Sequence, residues 1–154
     1  MAKKDDGTVG SDRKDSVVAT LDVLPDRWTA LVLREAFFGV RRFSEFRRNL
    51  SIARNTLTDR LNRLIEQGVL VKQRVSETND WEEYRLTEKG LDLYPIVVAL
   101  MQWGDRWTAP DGPPLLIRHR DCGGELVLKL ECDSCGKEPG AREVTYEPGP
   151  GSWC

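Results

Sequence analysis

The sequence predicts a mainly α-helical domain with a small β-hairpin, followed by a ribbon-like C-terminal extension. Apolar residues recur at helical spacing over most of the first hundred residues, and two strand-type runs interrupt them at 69–75 and 81–87. Two Cys-containing motifs follow a Pro- and Gly-rich stretch. With 154 residues, 40% of them hydrophobic, the chain is long enough for one main domain and an appendage.

The first helices are delimited by residues that start or stop helices. Residues 1–14 are polar and predict a disordered tail. Apolar residues at helical spacing begin at Ser16 and end at Pro25, and Asp26 is a good N-cap for a second helix to about Phe38. A short third helix is expected over 43–49.

The fourth helix, Ala53–Gln67, has the clearest pattern. Leu57, Leu61, Leu64 and Ile65 form one apolar stripe, polar residues occupy the other side, and Gly68 follows as a stop. The two strand-type runs are separated by turn-forming residues 76–80. The second, third and fourth helices followed by a hairpin are the arrangement of a winged helix-turn-helix.

A last helix is expected from Glu88 to about Trp107, capped by Thr87, with Pro95 as a kink or in the first turns. Its stretch Leu91–Trp103 is apolar on nearly every side, so it is either a buried core helix or is covered by a partner chain. The domain therefore spans 15–108, with a linker at 109–114 and the extension at 115–154. Within the extension, Glu125–Glu131 alternates as a strand would.

The net charge of −2 hides a strong asymmetry. Between Arg27 and Arg74 lie 11 basic and 4 acidic residues, against 12 and 21 in the rest of the chain. Such a local excess of Arg suits contacts with a polyanion, although a solvated charged surface is the alternative.

A helix of this kind fits the major groove of DNA, where its N-terminal half meets base edges. The residues expected to read bases are Arg54, Asn55, Thr56, Thr58 and Asp59; those expected to contact phosphates are Arg41, Arg42, Arg47, Arg48, Arg60 and Arg63. For each, a plain surface charge is the alternative, and Asp59 can instead pair with Arg63. On the hairpin, Lys72 and Arg74 could reach DNA, but its acidic residues argue against contacts there: Glu77, Asp80, Glu82 and Glu83.

Four short motifs occur in the order and at the distances found in a known family. They are Leu21-Asp22-Val23-Leu24-Pro25-Asp26-Arg27-Trp28, Arg41-Arg42-Phe43-Ser44-Glu45-Phe46, Leu57-Thr58-Asp59-Arg60-Leu61 and Tyr84-Arg85-Leu86-Thr87-Glu88-Lys89-Gly90. Through them, residues 16–108 resemble the HxlR-type group of MarR-like winged-helix transcription regulators. The resemblance implies a homodimer, formed by the first and last helices, that binds a palindromic DNA operator and regulates transcription.

Two positions depart from that family. Many members carry a redox-sensing Cys just before the first helix, where this chain has Asp15 followed by Ser16. A carboxylate cannot undergo thiol oxidation, so this sensing mechanism is not expected here. Ala53 replaces a common capping Ser, so Ser51 or water is expected to satisfy the helix start.

The extension contains two similar motifs, His119-x-x-Cys122-Gly123 and Cys132-x-x-Cys135-Gly136. Thiolate and imidazole ligands at this spacing predict a tetrahedral zinc site formed by His119, Cys122, Cys132 and Cys135. A metal-free hairpin with reduced thiols and a redox dithiol at Cys132 and Cys135 are the alternatives. Cys154 is expected to be free.

Other classes of function find little support. No apolar run approaches the length of a membrane span, no secretory signal is evident, and four Cys are too few for a disulfide scaffold, so a cytoplasmic protein is expected. No catalytic motif appears. A protein-interaction module without specific DNA binding is the competing hypothesis. A small-molecule effector could bind among the Trp and Phe residues near the predicted dimer helices, where core packing is the alternative.

Overall fold

A computed structural model describes residues 15–76 and 79–150 of the chain. In these ranges it contains α1 (Ser16–Val23), α2 (Arg27–Phe37), α3 (Phe43–Leu50), α4 (Arg54–Glu66), β1 (Leu70–Ser76), β2 (Asn79–Leu86), α5 (Glu88–Leu91) and α6 (Tyr94–Thr108). The two strands form one antiparallel hairpin. The mainly α fold of a winged helix-turn-helix is therefore confirmed. The predicted tail 1–14, Cys154, Glu77 and the side chain of Asp80 lie outside what the structure describes.

The chain divides into two compact units. One is Leu24–Lys129, which holds α2 to α6 and the hairpin. The other comprises the described residues 15–23 and 130–150, including α1. Asp15 caps α1, because its Oδ1 accepts the N–H groups of Val17 at 2.8 Å and Val18 at 3.3 Å. None of the helices in the described ranges combines the length and hydropathy that a membrane-spanning segment needs.

The core of the larger unit lies between α2, α3 and α4. Leu57, Leu61 and Leu64 of the predicted α4 stripe are fully buried, together with Phe46 of α3 and Val32 and Leu33 of α2, and Ile65 is half-buried. The side chain of Asp26 caps α2 by accepting from Trp28 N and Thr29 N, as the sequence predicts. These contacts fix α4 by its apolar side and leave its polar side to solvent.

The end of α4 is held by the segment that follows β2. Gly68 takes a φ of +68°, which ends the helix, and its carbonyl accepts from Thr87 Oγ1 at 2.6 Å. The same hydroxyl accepts from the Gly90 N–H. Lys89 Nζ donates to the carbonyl of Gln67, the residue after α4, at 2.7 Å. A Cβ at Gly90 would lie 2.3 Å from the Val69 carbonyl oxygen, so only glycine fits there.

Three details of the predicted elements are wrong. The hairpin strands extend to Ser76 and from Asn79, so the turn is shorter than 76–80. The predicted single last helix is two helices, α5 and α6, because Pro95 has no N–H and its ring would clash with the carbonyl of Leu91 in a continuous helix. Pro95 lies in the first turn of α6, one of the two positions expected for it.

The third is the expected strand at 125–131. Only Glu125 of this stretch forms a β-bridge, with Arg118. Beyond it, the carbonyl of Leu126 and the N–H of Leu128 bond to the side-chain amide of Gln102 on α6 rather than to another strand. These bonds tie Leu126 and Leu128 to α6, and the predicted linker 109–114 lies with them inside the larger unit.

Candidate nucleic-acid interface

The polar side of α4 faces outward, as the leucine spacing predicts. Arg54, Asn55, Thr58, Asp59 and Arg63 are exposed, and Thr56 is half-buried. The predicted base-reading residues thus share one accessible surface on the first two turns of the helix.

The start of α4 is open. Ala53, at the N-cap, makes no side-chain capping bond, and Ser51 is the left-handed C-cap of α3 with a φ of +49°. The Arg54 guanidinium lies 5.9 Å from the centre of the Phe43 ring. Thr58 Oγ1 donates to the Arg54 carbonyl at 2.9 Å, so its hydroxyl is partly occupied within the helix.

Three further guanidinium groups lie on α3 and on the N-cap residue that precedes it. Arg42 is the N-cap residue, and its N–H donates to Glu45 Oε2 at 3.2 Å. Arg47 and Arg48 are exposed in the last turn and, with Ser44 and Ser51, line a shallow cleft of about 430 Å³. In the part of the chain that the structure describes, no ion pair engages these three arginines or Arg54. Their charges are therefore available to a polyanion.

The hairpin is attached to the beginning of α3. The Arg41 carbonyl accepts from Tyr84 N at 2.8 Å, and the Arg42 guanidinium lies 4.5 Å from the centre of the Trp81 ring. Trp81 is 58% exposed. Arg41 itself is half-buried. Trp81 is not among the residues that the sequence predicts to contact DNA, and its only signal in the sequence is that of a large aromatic residue in a strand otherwise rich in charge.

The basic residues of the hairpin face acidic ones. Lys72 forms an ion pair with Glu82, and this hydrogen bond raises the pKa of Lys72. Arg74 lies opposite Glu82 in the strand register, and Arg85 pairs with Glu83 at 2.9 Å. The predicted weakness of the hairpin as a DNA contact thus has a structural basis, since its cations and anions neutralise each other.

Arg60, which the sequence predicts to contact a DNA phosphate, forms an ion pair within the domain. Its Nε lies 2.8 Å from Asp26 Oδ2, so it links α4 to the N-cap of α2. Partial burial raises the pKa of Asp26, but the hydrogen bonds from Thr29 and Arg60 and the Arg60 charge outweigh it and lower the pKa below 3.8. Arg60 therefore links α4 to α2 and is less available to DNA phosphates than the exposed Arg47 and Arg48, which no ion pair of the described residues engages.

The two motifs of the extension form the same turn. The fifth residue of each donates its N–H to the carbonyl of the first at 2.8 Å: Gly123 to His119, and Gly136 to Cys132. Both glycines have a positive φ, of +70° and +67°. Such turns suit paired metal ligands because they bring two side chains to one side.

The ligand atoms within each motif are close. His119 Nδ1 lies 3.3 Å from Cys122 Sγ. The N–H groups of Cys135 and Ser134 donate to the Cys132 sulfur and lower the pKa of its thiol. Among the described residues, however, no group of three or more His, Cys, Asp or Glu side chains is assembled that could hold a metal ion. The four-ligand zinc site stays a prediction.

The known proteins to which this chain is similar are helix-turn-helix transcriptional regulators. Residues 23–112 match the family model of HxlR-like helix-turn-helix proteins. The chain is 50% identical over 138 residues to the uncharacterised HTH-type transcriptional regulator Rv3095 of Mycobacterium tuberculosis (strain H37Rv), covering 89% of this chain and 87% of that one. It is 35% identical over 91 residues to the regulator YvaP of Bacillus subtilis (strain 168), covering 58% and 84%.

Solved structures agree in fold. The crystal structure of PA1607, a candidate transcription factor, is 36% identical with a TM-score of 0.81 and covers 88% of this chain and 96% of that one. The reduced form of the redox regulator HypR is 34% identical with a TM-score of 0.56, covering 60% and 92%.

Proposed function

Because this chain belongs to the HxlR-like helix-turn-helix family of transcriptional regulators, we propose that it binds a specific double-stranded operator as a homodimer with α4 in the major groove. The chain is a DNA-binding transcriptional regulator and not an enzyme.

The observation that carries the proposal is the outward polar side of α4, which is bordered by guanidinium groups that no ion pair of the described residues engages: Arg42, Arg47, Arg48 and Arg54. The major groove is about 12 Å wide and admits a helix. Arg54 carries the planar fork that fits the two acceptors of guanine, and Asn55 carries the amide that fits adenine. Both are exposed in the first turn of the helix, where recognition helices meet base edges.

The arginines of α3 support the same docking. Arg47 and Arg48 with two serine hydroxyls line one cleft, which suits a phosphate group and would fix the position of α4 along the duplex. Arg42 holds Trp81 beside this surface, so the indole is a further candidate contact.

Selection of duplexes from a random library, followed by fluorescence anisotropy at increasing salt, tests the proposal. We expect one enriched, palindromic sequence and an affinity that falls steeply with salt, because phosphate contacts release counterions. If no duplex is bound even at low salt, the DNA proposal is wrong and the protein-interaction alternative takes its place.

The homodimer rests on α6. Ile96, Leu100, Trp103 and Trp107 recur at helical spacing and are exposed, the two Trp by 63% and 65%, while Val97 and Val98 face the core. An apolar stripe of this size on one side of a helix is typical of an interface. Its proposed occupant is a second copy, as the family resemblance implies.

Light scattering at micromolar concentration measures the assembly. We expect twice the 17.5 kDa chain mass, and a monomer for Leu100→Asp, because a carboxylate in the stripe opposes its burial. Tyr146→Asp, at a side chain that is 91% exposed, is the control and should stay dimeric. A monomeric wild-type protein would contradict the homodimer.

The zinc site is also proposed, on the ligand types, their spacing and the matching turns of the two motifs. Metal analysis of protein purified without chelator should give about one zinc per chain. A ratio near zero overturns it.

A further inference from the structure

The side chain of Gln102 on α6 holds residues 126–128 in place. Its Nε2 donates to the Leu126 carbonyl at 2.7 Å, and its Oε1 accepts from the Leu128 N–H at 3.1 Å. Together the two bonds use both ends of the amide, in the way a neighbouring strand would bond to this main chain. Residues 126–128 are thus attached to α6 through hydrogen bonds.

A cavity of about 360 Å³ lies between α6 and residues 113–127, here called the segment. Its apolar walls are formed by Met101 of α6 and, on the segment, by Leu115, Leu116, Ile117 and Leu126. The volume falls within the range of small-molecule sites, about 300–1,000 Å³. The lining includes neither Trp nor Phe, unlike the effector site expected from the sequence.

The charged residues of the lining are Asp105 and Arg106 of α6 and Glu125 of the segment. The Arg106 guanidinium lies over the Trp107 ring, 5.1 Å from its centre. No ion pair of the described residues engages either carboxylate. The cavity therefore combines apolar walls with one excess negative charge, which favours a cation over an anion.

We propose that this cavity binds a small, mainly apolar molecule that carries a protonated amine. The apolar body displaces water from the leucine, isoleucine and methionine side chains, and the ammonium group lies near the carboxylates of Asp105 and Glu125. The site needs the extension for most of its walls, so it does not follow from the winged-helix domain alone. It is also independent of the proposed DNA contacts.

Three compounds of one shape and different charge test the charge preference: benzylamine, benzyl alcohol and benzoate. Saturation-transfer NMR titrations of the full chain, without DNA, measure their affinities. We expect benzylamine to bind with a Kd of about 1 mM, which is reasonable for so small a ligand, and to bind at least about tenfold more tightly than benzoate. Benzyl alcohol should lie between them.

Variants then test the location. Ile117→Trp, which fills the cavity, should abolish binding of all three compounds, whereas Leu91→Trp, at an exposed residue of α5 outside the lining, should leave it unchanged. The double variant Asp105→Asn with Glu125→Gln should keep benzyl alcohol binding and lose the preference for benzylamine.

Several results would overturn the proposal: no saturable binding of benzylamine at about 50 mM, well above the expected Kd; equal affinity for benzylamine and benzoate; or unchanged binding in Ile117→Trp. Circular dichroism checks that each variant is folded. If Ile117→Trp is not folded, the double variant Asp105→Asn with Glu125→Gln decides the question. A preference for benzylamine that is unchanged in this variant would then contradict the proposed site.

Discussion

Two regions of this chain are rich in basic residues, but they differ in how many of those residues are paired with acids. We define the α3–α4 surface as Arg42, Arg47, Arg48 and Arg54 with the polar side of α4, and the wing as the β1–β2 hairpin. On the α3–α4 surface no described ion pair engages those four guanidinium groups, whereas on the wing Lys72 and Arg85 are each paired with a glutamate. The number of basic residues therefore does not predict a polyanion surface; the position of the acids does.

The secondary structure explains the difference. The acidic residue within α3, Glu45, accepts a main-chain N–H at the helix start and so serves as a cap. On the wing, antiparallel pairing places Lys72 diagonally across from Glu82, within reach of its long side chain, and Arg85 pairs with Glu83 two residues before it on the same strand. The Arg27–Arg74 excess is thus concentrated on the helices by the fold.

The largest effect expected from this comparison is on Arg54. Arg54→Ala should weaken binding to the selected operator by about 10- to 100-fold, the 1–3 kcal/mol typical of a bidentate base contact, and change random-duplex binding little. Fluorescence anisotropy on both duplexes measures it. Arg120→Ala, which removes an exposed charge from the extension, is the control. Equal losses on both duplexes would show that Arg54 does not read bases.

Arg47 should behave in the opposite way. Arg47→Ala is expected to weaken all duplexes alike, by about fivefold at moderate salt, and to reduce the slope of log K against log salt by about 1, as loss of one phosphate contact does. A loss confined to the operator would move Arg47 from the phosphate contacts to the base contacts.

Arg60 is a third kind of basic residue, because its ion pair with Asp26 joins two helices of the domain. Asp26→Asn keeps a capping side chain but removes the ion pair with Arg60, and we expect it to lower the free energy of unfolding by about 0.5 kcal/mol near pH 7. The pKa of Asp26 is lowered in the folded state, so the carboxylate stabilises above the unfolded pKa, about 3.9, and this stabilisation is lost as the pH falls through the lower folded value.

Urea unfolding of both proteins between pH 7 and pH 2 measures this. The difference between wild type and Asp26→Asn should be constant above about pH 5 and shrink below about pH 4, where the wild-type carboxyl also becomes protonated. A difference that does not depend on pH would mean that the ion pair contributes nothing to stability.

The sequence predicted most of the helical domain because periodicity and caps are local. Asp26 as a cap, the buried leucines of α4 and the stop at Gly68 all depend on neighbours in the chain. What it missed depends on contacts between distant residues. Arg60 meets Asp26, Arg42 meets Trp81, and Gln102 takes the bonds that a strand at 125–131 would have made.

The smallest effect is expected on the wing, and it tests the comparison most directly. Lys72→Ala should change operator affinity by less than about twofold, because the Glu82 carboxylate already neutralises the ammonium group. Glu82→Gln should instead raise the affinity slightly, since it frees Lys72 and removes a charge that repels phosphate. Both changes are measured by anisotropy at low salt, where surface charges have most effect. If Lys72→Ala weakens binding as much as Arg47→Ala, then DNA breaks the ion pair, and the wing belongs to the binding surface after all.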